Sequence, residues 1–243
     1  MNKIRTALLG VLATAAVAGC GSGGGEREFD AEPTTPTATT AVDAIKALQV
    51  RIGTGNEITK VANTDPQAAP VFNEMPWGIV VTDADGNPVA GVSLKSVVFS
   101  QAYRMGTWYW DGAATTPVWK QSVSATCAGE DVNENLKLDA GEDRNADGQL
   151  TPGNVAAAFF GETGEAVIAQ TDAMGSAVLR VRYPRDRSEW VQVKLRVVAS
   201  IPNGTETTED RLFWLPVLSS DVTDPVVAPP GANSPYGAGT CPL

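Results

Sequence analysis

The chain contains no histidine. That absence excludes Ser-His-Asp hydrolases, Cys-His proteases and zinc or iron centres built on imidazole ligands. Chemistry based on paired carboxylates survives, because 28 of the 243 residues are Asp or Glu. Basic residues are scarcer, 18 against those 28, for a net charge of −10. Two of them, Lys3 and Arg5, lie in the amino-terminal leader, so the remainder is more acidic still. Binding a phosphate backbone requires clustered Lys and Arg, so nucleic acid is not expected as a partner. Cysteine is limited to Cys20, Cys127 and Cys241. Helical periodicity is missing too, apart from the short stretch Val155 to Phe160. What remains, 43% hydrophobic with 19% charged, is enough for one moderate globular domain.

The acidic residues are not scattered. From Glu130 the sequence reads EDVNENLKLDAG and then at once EDRNADGQLTPG, the same pattern repeated after twelve residues. Oxygen side chains recur at alternate positions, which is the spacing of a coiled calcium loop: places one, three, five and nine, a backbone carbonyl at seven, and a bidentate Glu at twelve. In the first copy these are Asp131, Asn133, Asn135, the Lys137 carbonyl, Asp139 and Glu142. In the second they are Asp143, Asn145, Asp147, the Gln149 carbonyl, Thr151 and Asn154, with Gly148 at the sixth place, where the chain turns sharply. Each copy departs once from the pattern: the first carries Leu136 where Gly is usual, and the second ends in Asn154, a weaker ligand than Glu. A lone Asp-x-Asn is ordinarily a solvated turn, but two copies at fixed spacing point to one or two Ca2+ ions. The stretch resembles EF-hand and thrombospondin-type calcium loops. Its flanks, VSATCAG and TPGNVAAAFF, do not read as paired amphipathic helices, so the expectation is a calcium loop set between strands.

Residues 1–19 form a basic, then apolar, then small-residue leader, which reads as a signal peptide. The ending Val17-Ala18-Gly19-Cys20 resembles the bacterial lipobox, which implies cleavage before Cys20 and acylation of that cysteine. By analogy with known lipoproteins, Gly21 in the next position implies the outer membrane, facing the periplasm or the cell surface. The membrane is then a partner through the lipid. Residues 20–43 are rich in Gly, Ser, Thr and Pro and read as a tether. With Cys20 acylated, Cys127 and Cys241 are an even pair in an oxidising compartment and are expected to form a disulfide.

The globular part, 44–220, shows a period of two. Leu48, Val50 and Ile52 alternate with Gln49 and Arg51, and Trp77, Ile79 and Val81 form one face before the turn Asp83 to Pro88. The same holds for Leu179, Val181 and Tyr183, and again for Val191, Val193, Leu195 and Val197. These are half-buried antiparallel strands, at least six or seven with a last one at Arg211 to Leu215, and they predict an all-β fold of the sandwich class. At VVTDADGNPVAGVSL and QTDAMGSAVLRVRY the chain resembles bacterial immunoglobulin-like domains of the invasin and intimin type. That resemblance implies an immunoglobulin-like sandwich with adhesive or spacer duties and no catalytic residues. A long insertion, 100–154, would interrupt it, and residues 221–243 form a Pro- and Gly-rich tail.

Within the insertion Tyr103, Trp108, Tyr109 and Trp110, with Trp119 nearby, are candidate ligand contacts. Rings in such a run more often cover a sheet face that would otherwise stay wet. Three functions are therefore weighed. The first is a non-enzymatic, calcium-stabilised envelope lipoprotein that acts by surface interaction with a protein or glycan, in adhesion or assembly. The second is a carbohydrate-binding module using the aromatic run, and the third a carboxylate-dependent glycoside hydrolase.

Overall fold

Alternating side chains need two faces, and the computed structural model supplies them as two antiparallel sheets whose apolar faces meet. It describes residues 47–242 except 56, 66, 67, 70, 162–165, 167, 203 and 205. The leader, Cys20 and the tether to residue 43 lie outside the described residues.

In chain order the strands are β1 (Leu48–Gly55), β2 (Thr59–Val61), β3 (Phe72–Asp83), β4 (Ser93–Asp111), β5 (Val118–Ala128), β6 (Ala157–Phe160), β7 (Ile168–Gln170), β8 (Ser176–Pro184), β9 (Val191–Ser200) and β10 (Glu206–Trp214). One sheet runs β1-β3-β8-β6 with β2 on β3, the other β10-β9-β4-β5 with β7 on β4. Read as A-B-E-D and G-F-C-C′, this is the strand order of an immunoglobulin sandwich. Among the described residues there is no α-helix, only short 3-10 turns such as Arg185–Arg187 and Ser219–Asp221.

The predicted inward positions form the core. Val191, Val193, Leu195 and Val197 of β9 are fully buried, and so are Leu179, Val181 and Tyr183 of β8 and Ile79 and Val81 of β3. Each such side chain contributes about 1.5–3 kcal/mol of apolar transfer. At one edge Trp77 of β3 meets Phe213 of β10 with ring centroids 4.8 Å apart, joining the two sheets. Val155 to Phe160, the stretch with helical spacing, instead places Ala157–Phe160 in β6, paired with Arg182 to Leu179 of β8. A helix this short is not self-sustaining, whereas the edge of β8 satisfies its backbone groups.

The segment expected as an insertion divides in two. Residues 100–128 extend the sheet, because β4 continues to Asp111 and returns as β5, and only 129–156 lacks regular structure. Two irregularities obscure the alternation: β4 shifts register against β9 between Ser100 and Ala102, and against β5 between Met105 and Gly106. A bulge moves every later side chain to the other face, so a simple period of two fails across it. Gly106 has φ of 145°, and a Cβ there would lie 2.1 Å from the Ser122 carbonyl oxygen. Only glycine lets the ribbon close at that point.

Beyond Tyr103 the strand β9 no longer accompanies β4, and the carboxy-terminal tail takes its place. Gly106 N–H donates to the Gly237 carbonyl and Trp108 N–H to that of Ala232, both at 2.8 Å, while Ser234 N–H donates to the Gly106 carbonyl at 2.9 Å. Trp190, fully buried, donates its indole N–H to the Gly231 carbonyl at 2.8 Å. The disulfide Cys127–Cys241 is formed, with Cα atoms 5.4 Å apart across 114 residues of sequence. The tail, too rich in Pro and Gly for a strand of its own, is thereby tied to the β4–β5 ribbon.

Candidate calcium-binding loops

Between β5 and β6 the two twelve-residue copies, 131–142 and 143–154, adopt one backbone conformation twice. Positive φ occurs at Glu134, Leu136 and Gly141 in the first and at Ala146, Gly148 and Gly153 in the second, each pair twelve residues apart. Leu136 therefore takes up the left-handed turn that Gly148 adopts without penalty. A residue with a Cβ in that region costs on the order of 1–3 kcal/mol, which surrounding bonds must offset.

Those bonds are accepted by the side-chain oxygens expected to be calcium ligands. The Asp131 carboxylate accepts from the N–H groups of Asn135 and Leu136, each at 3.0 Å, and Asp143 accepts from Asp147 at 3.2 Å and Gly148 at 3.0 Å. Asn133 Oδ1 accepts from Asn135 N–H and Asn145 Oδ1 from Asp147 N–H. Asn135 and Asp147 repeat the arrangement with the N–H groups of Lys137 and Gln149. The ninth position joins them. Asp139 Oδ2 accepts from the amides of Asn133 at 2.7 Å and Asn135 at 2.6 Å, and these donors hold its carboxyl below the usual aspartate value. In the second loop the Asn145 amide donates to Asp147 at 3.0 Å and to the Thr151 hydroxyl at 3.1 Å.

The twelfth position is where structure and sequence part. Glu142, buried, accepts from Val132, Asn133 and Asp139 N–H at 3.0, 3.4 and 2.9 Å. Twelve residues on, the equivalent N–H groups of Arg144, Asn145 and Thr151 donate at 3.0, 3.3 and 2.8 Å to Glu130. Glu130 is 1% exposed. It precedes the first loop yet serves the second, while Asn154 turns away and donates to the Leu136 carbonyl of the first loop at 3.0 Å. The signal was legible: both copies open with Glu-Asp, but counting each loop from its Asp leaves Glu130 outside.

The loops are also fastened to the sandwich. Glu134 forms an ion pair with Lys194 and another with Arg196 at 3.2 Å, and accepts from Gln101 at 3.3 Å. Both cations lie over the ring of Phe99, at 5.6 and 5.2 Å. This clamp was not foreseen, because nothing local distinguishes Glu134 from its acidic neighbours. Ser100 adds a hydroxyl bond of 2.6 Å to the Gly153 carbonyl.

Among the described residues, no three of Cys, Asp or Glu side chains converge on one point. What each loop gathers is carboxylate with neutral oxygen-bearing side chains, Asp131 and Asp139 with Asn133 and Asn135 in the first, Asp143 and Asp147 with Asn145 and the Thr151 hydroxyl in the second. Such a mixed, hard-oxygen set fits calcium, which accepts neutral oxygens, better than zinc or iron, which favour thiolate and imidazole.

The aromatic candidates mostly face protein. Tyr103 is buried against Tyr236, centroids 4.7 Å apart, and its hydroxyl is pushed up by burial and by the nearby Glu130 charge. Trp108 meets Trp190 edge-on at 6.1 Å, and Trp110 meets Trp119 at 5.9 Å. Trp119 donates its indole N–H to the Asp224 carbonyl at 2.7 Å. Tyr109 alone of the five is largely exposed, at 46%. Comparison of the chain with protein-family models, with curated proteins and with solved structures gave no match.

Proposed function

We propose that this protein is a calcium-stabilised immunoglobulin-like module of the cell envelope, anchored in the outer membrane by lipid on Cys20, that works by surface contact rather than catalysis. The observation that carries the calcium reading is the twofold recurrence of one loop conformation with oxygen side chains at the same places. Asp131, Asn133, Asn135, Asp139 and Glu142 would hold one ion. Asp143, Asn145, Asp147 and Thr151 would hold a second, with Glu130 standing where the first loop has Glu142. The bound ion supplies positive charge to a stretch that otherwise repels itself. Seven carboxylates lie between Glu130 and Asp147, against Lys137 and Arg144. A like-charged pair ~7 Å apart costs ~0.6 kcal/mol in water, and several such pairs act together. An affinity of about 10⁻⁴ to 10⁻³ M suffices for a domain outside the cytoplasm.

Calorimetry with calcium on the wild type and on the double variant Asp131→Ala, Asp143→Ala tests this. Binding heat and a raised melting temperature are expected for the wild type alone, and their absence there would reduce the stretch to a solvated acidic turn. The anchor is tested separately by Cys20→Ser, which should move the protein out of the detergent phase.

A further inference from the structure

We propose that the Cys127–Cys241 disulfide is a redox switch for the second loop alone: a dithiol that reduces it uncovers Glu130 and loosens residues 143–152, while the first loop keeps its order. The two loops are fastened to different parts of the molecule. The first is held by Glu134 on Lys194 and Arg196 of β9 and on Gln101 of β4, and among the described residues it makes no hydrogen bond or ion pair with the tail. The second faces the tail. The Tyr236 hydroxyl donates to the carbonyl of buried Pro152 at 3.2 Å, and Asn145, Asp147 and Thr151 share a cavity with Pro235, Thr240 and Pro242. Its last turn is tied elsewhere, by the Ser100 hydroxyl on the Gly153 carbonyl and by the Asn154 amide on that of Leu136.

The end of the tail depends on the disulfide for its grip. The tail's hydrogen bonds to β4 stop at Gly237, and among the described residues 238–242 make none, so the bond at Cys241 is what fastens that stretch. Cys241 and Pro242 form, with Cys127, Glu130 and Arg144, the walls of a cavity of about 30 Å³. They are thus part of the cover that leaves Glu130 1% exposed. A carboxylate kept from water holds its N–H donors, here those of Arg144, Asn145 and Thr151, more strongly than a hydrated one. Once the cover lifts, water competes for the same oxygens and the second loop loses the acceptor its amides share. Glu142, the matching acceptor of the first loop, is bonded within that loop and lines neither cavity. Reduction itself is a thiol–disulfide exchange. The reductant's thiolate attacks Sγ of Cys241, the more exposed of the two residues, and Cys127 leaves as a thiolate that takes up a proton. The reductant's second thiol then displaces Cys241 as it closes its own disulfide, so two electrons pass and the protein ends with two thiols.

The consequence for calcium rests on the reading of both loops as metal sites, and the experiment separates the two. Amide hydrogen exchange of the oxidised protein is followed by NMR without calcium, before and after dithiothreitol, at Arg144, Asn145 and Thr151 and at their counterparts in the first loop, Val132, Asn133 and Asp139. After reduction the second-loop amides should exchange at least about tenfold faster and the first-loop amides less than about twofold faster, with Val193 and Leu195 of β9 still protected. The double variant Cys127→Ser, Cys241→Ser should show the fast second loop without reductant, and Glu134→Ala the reverse pattern, a loosened first loop beside an unchanged second. In calcium, calorimetry should find one of two ions weakened by at least about tenfold on reduction and the other unaffected. The switch is overturned if both sets of amides accelerate together, if neither does, or if the disulfide yields to the dithiol only as Val193 and Leu195 also lose protection. Absence of calcium heat in both redox states would sink the metal reading, whereas the second-loop exchange would still sustain or overturn the switch.

Discussion

Replacing Glu130 by Gln probes the exchange of glutamates between the loops with a change of one functional group. The carboxylate is buried and accepts three backbone N–H groups, two on Oε1 and that of Thr151 on Oε2. An amide of the same shape can keep the first two, but it turns an –NH₂ toward the Thr151 N–H, and two donors face each other. A hydrogen bond to a charged group contributes about 1.5–3 kcal/mol, and a buried donor left unpaired costs about 1–3 kcal/mol. Residues 144–149 are exposed, so water can restore part of this, and a loss of about 2–3 kcal/mol is expected. It should be confined to the second loop. Asn154→Ala is the control, since it removes one exposed bond to the Leu136 carbonyl and should cost no more than about 0.5 kcal/mol. Urea denaturation gives the stabilities, and amide hydrogen exchange at Arg144, Asn145 and Thr151 gives the locality. If Asn154→Ala accelerates exchange at those amides and Glu130→Gln does not, the assignment of the twelfth position to Glu130 is wrong.

Reducing the Cys127–Cys241 disulfide, or replacing Cys241 by Ser, should lower stability by up to about 4–5 kcal/mol, the chain-entropy value for a loop of this length. The tail's bonds to Gly106 and Trp108 moderate that loss, and thermal melts with and without reductant measure it. Glu134→Ala should release the first loop from Lys194 and Arg196 at a cost of about 1 kcal/mol, because the group is only partly buried and Asp210 still holds Arg196 at 2.7 Å. Chemical denaturation reads that value, and an effect several times larger would mean that the clamp supports the sandwich itself. Asp139, with its folded pKa depressed by the Asn133 and Asn135 amides, stabilises the fold above its unfolded pKa. That contribution disappears as pH falls through the folded value. An NMR titration should place its midpoint below that of an ordinary aspartate, and Asn133→Ala with Asn135→Ala should restore it.

The sheets were legible because their signal is local. A strand buried on one face must alternate, so Val191 to Val197 and Leu179 to Tyr183 declare both their conformation and their inward face without reference to any partner. The duplicated Glu-Asp-x-Asn pattern was legible for the same reason: it is repeated, and its spacing alone marks positions one, three, five and nine. Where the alternation is broken the reading failed, and the two register shifts in β4 made a long sheet extension look like part of an insertion. Tertiary structure alone decided the rest. That Glu130 serves the second loop and Asn154 does not, that Glu134 is the residue clamped by Lys194 and Arg196, and that the Pro- and Gly-rich tail replaces β9 beside β4 all depend on which segments meet after folding. Such contacts join residues up to about 130 positions apart, and their donors and acceptors are chemically the same as neighbours that make none. Composition and periodicity carry the local free energy of each segment, whereas the choice among equivalent carboxylates belongs to the packed whole.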